Sequence, residues 1–177
     1  MKIRCVVTGQ TATGKSVIVR DAREEPVTLE SLPGFEFHRL WGGDETPTLP
    51  CDGAPPPSRR YFPAEGGFRF AFFTVPPGGQ RTTESVDPAA AFAEMQKKLP
   101  GLVESLEPEN PGMHTTDTVD FDVVVSGEIC MELDDEAEVL LKSGDCVIQN
   151  GTRHAWRNRS NENCVIAVTL VGAKRSK

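Results

Sequence analysis

The 177-residue chain lacks the features that mark several large classes of protein. No run of roughly 18 or more consecutive apolar residues occurs, which excludes an ordinary membrane-spanning helix. The opening MKIRCVVTGQ holds too short an apolar stretch for a secretory signal. The cysteines, Cys5, Cys51, Cys130, Cys146 and Cys164, form an odd set with no C-x-x-C pair. That argues against a disulfide framework and for free thiols in a reducing, cytoplasmic setting. Cys130, Cys146 and Cys164 lie within apolar strand patterns and read as inert core residues. Basic clusters are confined to Arg59-Arg60 and the tail Lys174-Arg175-Ser176-Lys177, which read as solvated. With a formal net charge of −7, no nucleic-acid partner and no membrane surface is expected, since both need clustered positive charge. No internal repeat of solenoid or propeller length is visible.

The composition that remains, 38% hydrophobic and 25% charged, is that of a globular chain, and its length suits one domain over residues 1–177 with a real core. The β-branched runs Ile3–Thr8 and Ser16–Arg20 flank a Gly/Thr-rich turn and predict a hairpin. Phe35–Trp41 and Phe68–Val75 read as strands, the second stopped by Pro76-Pro77-Gly78-Gly79. Residues 42–66 between them are rich in Pro and Gly, and read as a lid, a subunit-wrapping arm or a solvated insertion. Asp87-Pro88 has the chemistry of a helix start, an N-cap acceptor followed by a residue preset for the first turn. Phe92, Met95 and Leu99 then share one face, read as core packing, before Pro100-Gly101 ends the helix. From Gly112 onward short strands alternate with tight turns. Glu128–Leu133 and Glu138–Lys142 flank Asp134-Asp135, and Cys164–Val171 comes last. The expectation is an all-β sandwich or barrel with an N-terminal strand extension and one short helix. Residues 1–86 would supply N-terminal strands and the Pro/Gly-rich loop, and residues 112–172 the barrel core.

Gly9–Ser16 fits the phosphate-loop pattern G-x-x-x-x-G-K-[ST]. That chemistry needs a helix to begin after the lysine, because the free N–H groups of its first turn hold the phosphates. Here Val17-Ile18-Val19 follows Ser16, a β-branched run with poor helix propensity. A hairpin turn is expected, and no nucleotide.

Two segments carry the chemistry. Residues 144–158 read GDCVIQNGTRHAWRN, a Gly-Asp turn, a short apolar strand, an Asn-Gly turn, then His154 and Asn158. Residues 112–127 read GMHTTDTVDFDVVVSG. Together they resemble the two motifs of the cupin family. Gly144, Asp145, Gly151, His154 and Asn158 match the second motif, with Gln149 in place of its usual proline. In the first motif His114 matches the leading histidine and Gly127 the closing glycine. Thr116 stands in place of the second histidine and Asp120 in place of the glutamate.

The resemblance implies a cupin β-barrel (a double-stranded β-helix, or jelly roll) with an altered metal site. It implies His114, Asp120 and His154 as ligands of a divalent transition metal (Fe, Mn, Ni or Zn), two imidazoles and a carboxylate being able to form a facial triad. Aspartate is one methylene shorter than glutamate, so Asp120 either reaches the metal or braces His114. Thr116 is a weak contact or holds a water. Small cupins pair through sheet edges and exchanged N-terminal strands, so a homodimer is expected.

The residues themselves add to this. Asp122 lies two residues beyond Asp120 and shares its facing if both sit on one strand. Either the two carboxyls face inward, with one working as a general acid or base, or Asp122 is exposed. Asp117 falls in the preceding turn. Trp156 shares the facing of His154 and is a wall for a flat or aromatic substrate, or core. Arg69, set among Phe68, Phe70 and Phe72, either clamps a substrate carboxylate or is the exposed residue of its strand. His38 matches no motif and reads as structural. The catalytic candidates are thus His114, Asp120, Asp122 and His154, with Thr116, Trp156 and Arg69 at the substrate. Two functions stay open. One is an enzyme for oxygenation, decarboxylation, dehydration or isomerisation of a small carbonyl, carboxylate or aromatic compound. The other is a ligand-binding or regulatory module that has lost its metal.

Overall fold

The computed structural model describes residues 2–58, 60–78 and 87–176, so Arg59, Gly79 and Lys177 lie outside the described residues. The N-terminal runs form a hairpin of β1 (Ile3–Gln10) and β2 (Ser16–Glu24), an isolated two-stranded sheet. Its turn is closed by Thr11 N–H to Lys15 O (2.9 Å) and Gly14 N–H to Thr11 O (2.8 Å). The phosphate-loop pattern therefore caps a hairpin, with a strand where a helix would have to start.

The body is two sheets facing one another. The larger has six strands in the order β3 (Val27–Leu29), β4 (Leu32–Gly43), β5 (Phe68–Val75), β11 (Cys164–Gly172), β6 (Thr118–Ser126) and β9 (Cys146–Asn150). The smaller has three, in the order β10 (Ala155–Arg157), β7 (Glu128–Glu132) and β8 (Glu138–Lys142). All recorded pairings are antiparallel. Gln149 ties the sheets together, its Nε2 donating to the thioether Sδ of Met131 at 2.8 Å.

Strand register decides which side chains face inward. Along β6 burial alternates strictly, with Thr118, Asp120, Asp122 and Val124 buried and Phe121, Val123 and Val125 exposed. Asp120 pairs with Leu170 of β11, which pairs with Arg69 of β5. In the next inward row Asp122 pairs with Val168, Val168 with Ala71, and Ala71 with Arg39 of β4. One row further, Val124, Ile166, Phe73 and Phe37 supply the apolar core. The outward face of the same sheet is apolar and uncharged across four strands, with Phe70, Phe121, Ile148 and Val171 exposed.

Helix α1 (Pro88–Lys98) starts as expected, with Asp87 Oδ2 accepting from Ala90 N–H at 3.0 Å. Met95 and Leu99 are buried, but Phe92 is 53% exposed. The helix docks through its C-terminal half, where Glu94 accepts from Glu30 N–H (3.0 Å) and Lys98 Nζ donates to Thr28 O (2.9 Å). Phe92, a turn earlier, lies outside that contact. One other expectation fails. Cys146 is exposed, while Cys164 is buried, and all the cysteines are free. The basic tail is exposed as expected, with Arg175 paired to Asp117 and its Nη2 donating to Thr116 O (2.8 Å) and Gly151 O (3.1 Å). Among the described residues, no helix is long and apolar enough to cross a membrane.

Candidate functional site

The two chemical segments meet at an isolated antiparallel bridge between His114 and His154. The turn before it needs Gly151, whose φ of +61° is costly for other residues and whose added Cβ would lie 3.1 Å from Thr116 O. Beyond it, Asn158 fixes the return of the chain. Its Nδ2 donates to Val75 O (2.8 Å) and Glu162 O (2.7 Å), and its Oδ1 accepts from Ser160. Asn158 is thus a brace. Asp145 likewise closes the turn after β8, accepting from Lys142 N–H at 2.8 Å.

The imidazole centroids of His114 and His154 are 4.2 Å apart. Each Nδ1 faces a backbone carbonyl, Gly112 O at 3.0 Å for His114 and Thr152 O at 2.9 Å for His154. A carbonyl oxygen only accepts, so each Nδ1 carries the proton and each Nε2 keeps its lone pair. Burial lowers the pKa of His114, and burial together with the charge of His114 lowers that of His154 to about 4. Both rings are therefore neutral at pH 7.

They share a cavity of about 100 Å³ with Asp120, Asp122, Trp156, Tyr61 and Phe73. Its walls are aromatic: Trp156 meets His154 edge-on at 5.9 Å and Phe73 lies 6.1 Å from Trp156. Asp120 and Asp122 are each about 5% exposed, and Oδ1 of Asp120 has no hydrogen-bond partner among the described residues. Burial raises the pKa of Asp120 to about 6, against a lowering hydrogen bond from Thr118. Burial, with the neighbouring Asp120 charge added, raises that of Asp122 to about 8. The carboxyls act as a pair that holds a proton near neutrality.

His114, His154, Asp120, Asp122 and Trp156 thus come together as the sequence suggested, but two expectations are corrected, those for Thr116 and Arg69. As placed, no three His, Cys, Asp or Glu side chains among the described residues form a group able to hold a metal ion: the histidines pair, and the short Asp120 side chain engages Thr118 on its own strand. Thr116 is absent from the cavity wall, its buried hydroxyl bonded to that of Thr118 at 2.8 Å. Arg69 is also elsewhere. Its guanidinium donates to Arg60 O (3.0 Å), Gly43 O (2.7 Å) and Phe68 O (2.8 Å) and pairs with Asp44, fastening the long 44–67 segment to β5. His38 is structural as read, buried with Nε2 3.9 Å from the Glu36 carboxylate.

Sequence reasoning missed the contributions of Tyr61 and Phe62. Phe62 lies 6.2 Å from the His114 ring, and Tyr61 packs edge-on against Phe62 at 4.9 Å. Their signal was the adjacent aromatic pair inside an otherwise Pro/Gly-rich stretch.

Comparison with known proteins agrees with this architecture. Residues 102–171 match the family model described as the cupin domain. A phomopsin biosynthesis cluster protein C' of Diaporthe leptostromiformis is 49% identical over 49 residues, 28% of this chain and 26% of that protein. An oryzines biosynthesis cluster protein J of Aspergillus oryzae is 48% identical over 50 residues, 28% of each chain. The chain thus spans about a quarter of the length of these relatives. Among solved structures, a cupin 2 conserved barrel domain protein of Salinispora arenicola has a TM-score of 0.45 at 15% identity, covering 87% of this chain and 92% of that one. A predicted oxalate decarboxylase of Thermotoga maritima has the same score and identity, over 83% and 91%. The family match spans both chemical segments, so residues 102–171 are similar to a cupin domain.

Proposed function

We propose that this chain is a small-molecule enzyme that moves protons on an apolar or aromatic compound bearing a carbonyl or carboxyl group. The observation that carries this reading is the carboxyl pair Asp120 and Asp122, buried side by side on the inward face of β6 in an aromatic cavity. Buried carboxyls without full hydrogen bonding are costly, and such groups concentrate where a shifted pKa is put to use. Asp122, protonated at pH 7, donates to a substrate oxygen, while Asp120, largely ionised, accepts a proton from the adjacent atom. The Nε2 lone pairs of His114 and His154 accept a hydrogen bond or a proton from the same ligand. Trp156 and Phe73 hold its flat body. This chemistry favours isomerisation or dehydration among the reactions the fold hosts. The relatives' names, which place them in biosynthesis clusters, accord with a small-molecule substrate.

The test is proton exchange. In D2O, aryl ketones and α-keto acids should lose α-proton NMR signal faster with the protein than without it. Asp122→Asn and Asp120→Asn should each slow that exchange by about 100-fold. Ligand-induced shifts with no exchange for any compound would favour the second reading, a binding module, which the aromatic walls support.

We also propose a homodimer through the outward face of the six-stranded sheet. Phe70, Phe121, Val123, Val125, Ile148 and Val171 are exposed there. A contiguous apolar face of this kind is uncommon on a monomer. With no charged side chain across its four strands, a second copy meets no like-charge repulsion on pairing face to face.

A further inference from the structure

Beside the first cavity lies a second, of about 260 Å³, beneath residues 55–58. Its walls include Trp41, Pro56, Tyr61 and Phe70, and two arginines enter it, Arg39 and Arg69. Their situations differ. Arg69 has donors on each of its three nitrogens engaged by carbonyls or by Asp44. Arg39 is half-buried, and only its Nη2 is engaged, at 3.1 Å from Arg60 O and 3.3–3.4 Å from Ser58. Its Nε and Nη1 make no hydrogen bond, and it makes no ion pair, among the described residues. The charged groups here are thus two guanidiniums and one carboxylate, Asp44, already paired with Arg69. One positive charge is left over inside a largely apolar recess.

We propose that this second cavity binds a small molecule bearing one carboxylate, received by Arg39. Nε–H and Nη1–H of the guanidinium point to different sides, and each can donate a charge-assisted hydrogen bond to a carboxylate oxygen. A single negative charge balances the single uncompensated cation. Pro56, Tyr61 and Leu170 offer apolar surface to the rest of the ligand. Burial and the nearby Arg69 push the Arg39 pKa down, as expected of a cation waiting for a counter-charge. The strand pattern shows how Arg39 comes to face inward: Phe35 and Phe37 alternate into the core, and Arg39 continues that alternation.

This site is separate from the acid–base pair. Arg39 and Asp122 stand in one inward row of the sheet, but three strand spacings apart, about 14 Å. Tyr61 and Leu170 form the shared wall, lining both cavities. A short carboxylate fills the Arg39 side alone.

Benzoate titrated calorimetrically into the full chain tests the proposal, with inorganic phosphate as the competing anion. One-to-one benzoate binding is expected, at least about tenfold weaker in Arg39→Gln, which loses the charge-assisted hydrogen bonds. Arg39→Lys should keep part of the affinity, and the Arg39 Nε–H signal reports on this site alone, so failure here is distinguishable from failure of the proton-transfer reading. Near-UV circular dichroism checks that Arg39→Gln is folded. In the wild-type chain, the Nε–H NMR signal of Arg39 should also shift on adding benzoate, a readout that needs no variant. Absence of benzoate binding, equal affinity in folded Arg39→Gln, an unmoved Arg39 signal, or phosphate binding tighter than benzoate would each overturn the assignment.

Discussion

His114 and His154 exchange both backbone hydrogen bonds, N–H to O at 3.0 Å in each direction, a bridge that adds to the β6–β9 pairing between the two chemical segments. It holds the tilted imidazoles with ring centroids 4.2 Å apart, which sets their chemistry. Two rings so close and so shielded from water resist a shared positive charge, so the pair meets a ligand as neutral bases. The carboxyl pair on β6 meets it as one acid, Asp122, and one largely ionised base, Asp120.

The carboxyls leave a mark on stability. Asp122 has an ordinary value of 3.8 and a folded value of about 8, so its contribution to stability is complete below pH 3.8 and is lost as pH rises through 8. Asp122→Asn lacks that loss. Its unfolding free energy should climb relative to wild type between about pH 5 and pH 8, by up to roughly 1.4 kcal/mol per pH unit, and its melting temperature with it. His154→Gln should show the reverse trend. The folded pKa of about 4 lies below the ordinary 6.5, so wild-type stability is lost as pH falls through that window. Thermal melts across the range check both, and parallel curves would remove the titrations as their cause.

Gly151→Val should destabilise the chain by at least about 1 kcal/mol. The position has φ +61°, and its Cβ direction meets the carbonyl of Thr116 at 3.1 Å and that of Thr118 at 3.5 Å. Denaturant titration is the measurement, and an unchanged midpoint would contradict the turn geometry.

Phe121→Glu places a charge at the centre of the uncharged outward face while leaving the inward row intact. Light scattering should report a dimer for the wild-type chain and a monomer for the variant. A wild-type monomer at tens of micromolar would sink the proposed pairing.

Local chemistry made much of the fold legible in advance. The hairpin, β5 and the helix start follow from β-branched runs and from an Asp-Pro pair, whose partners lie within a few residues. The inward facing of Asp120 and Asp122 followed from the two-residue period of a strand. What failed depended on distant partners. Arg69 was open between a substrate clamp and an exposed strand residue and is neither, because its partners Arg60 and Asp44 come from a loop with no periodicity to read. Thr116 holds a ligand's place in the motif, yet an adjacent hydroxyl, Thr118, captures it. Phe92 fits its helix face, but the length of helix that reaches β3 is fixed by Glu94 and Lys98.

The hairpin touches the long 44–67 segment at a point where no side chain fits. A Cβ on Gly9 would lie 2.3 Å from Asp52 O, and Gln10 N–H donates to Cys51 O at 2.8 Å. The same segment is fastened at its far end by Arg69 and roofs the Arg39 cavity between these two points. The glycine that opens the phosphate-loop pattern thus serves as one of two rivets holding that roof, and the first strands of the chain are mechanically linked to a recess they do not line.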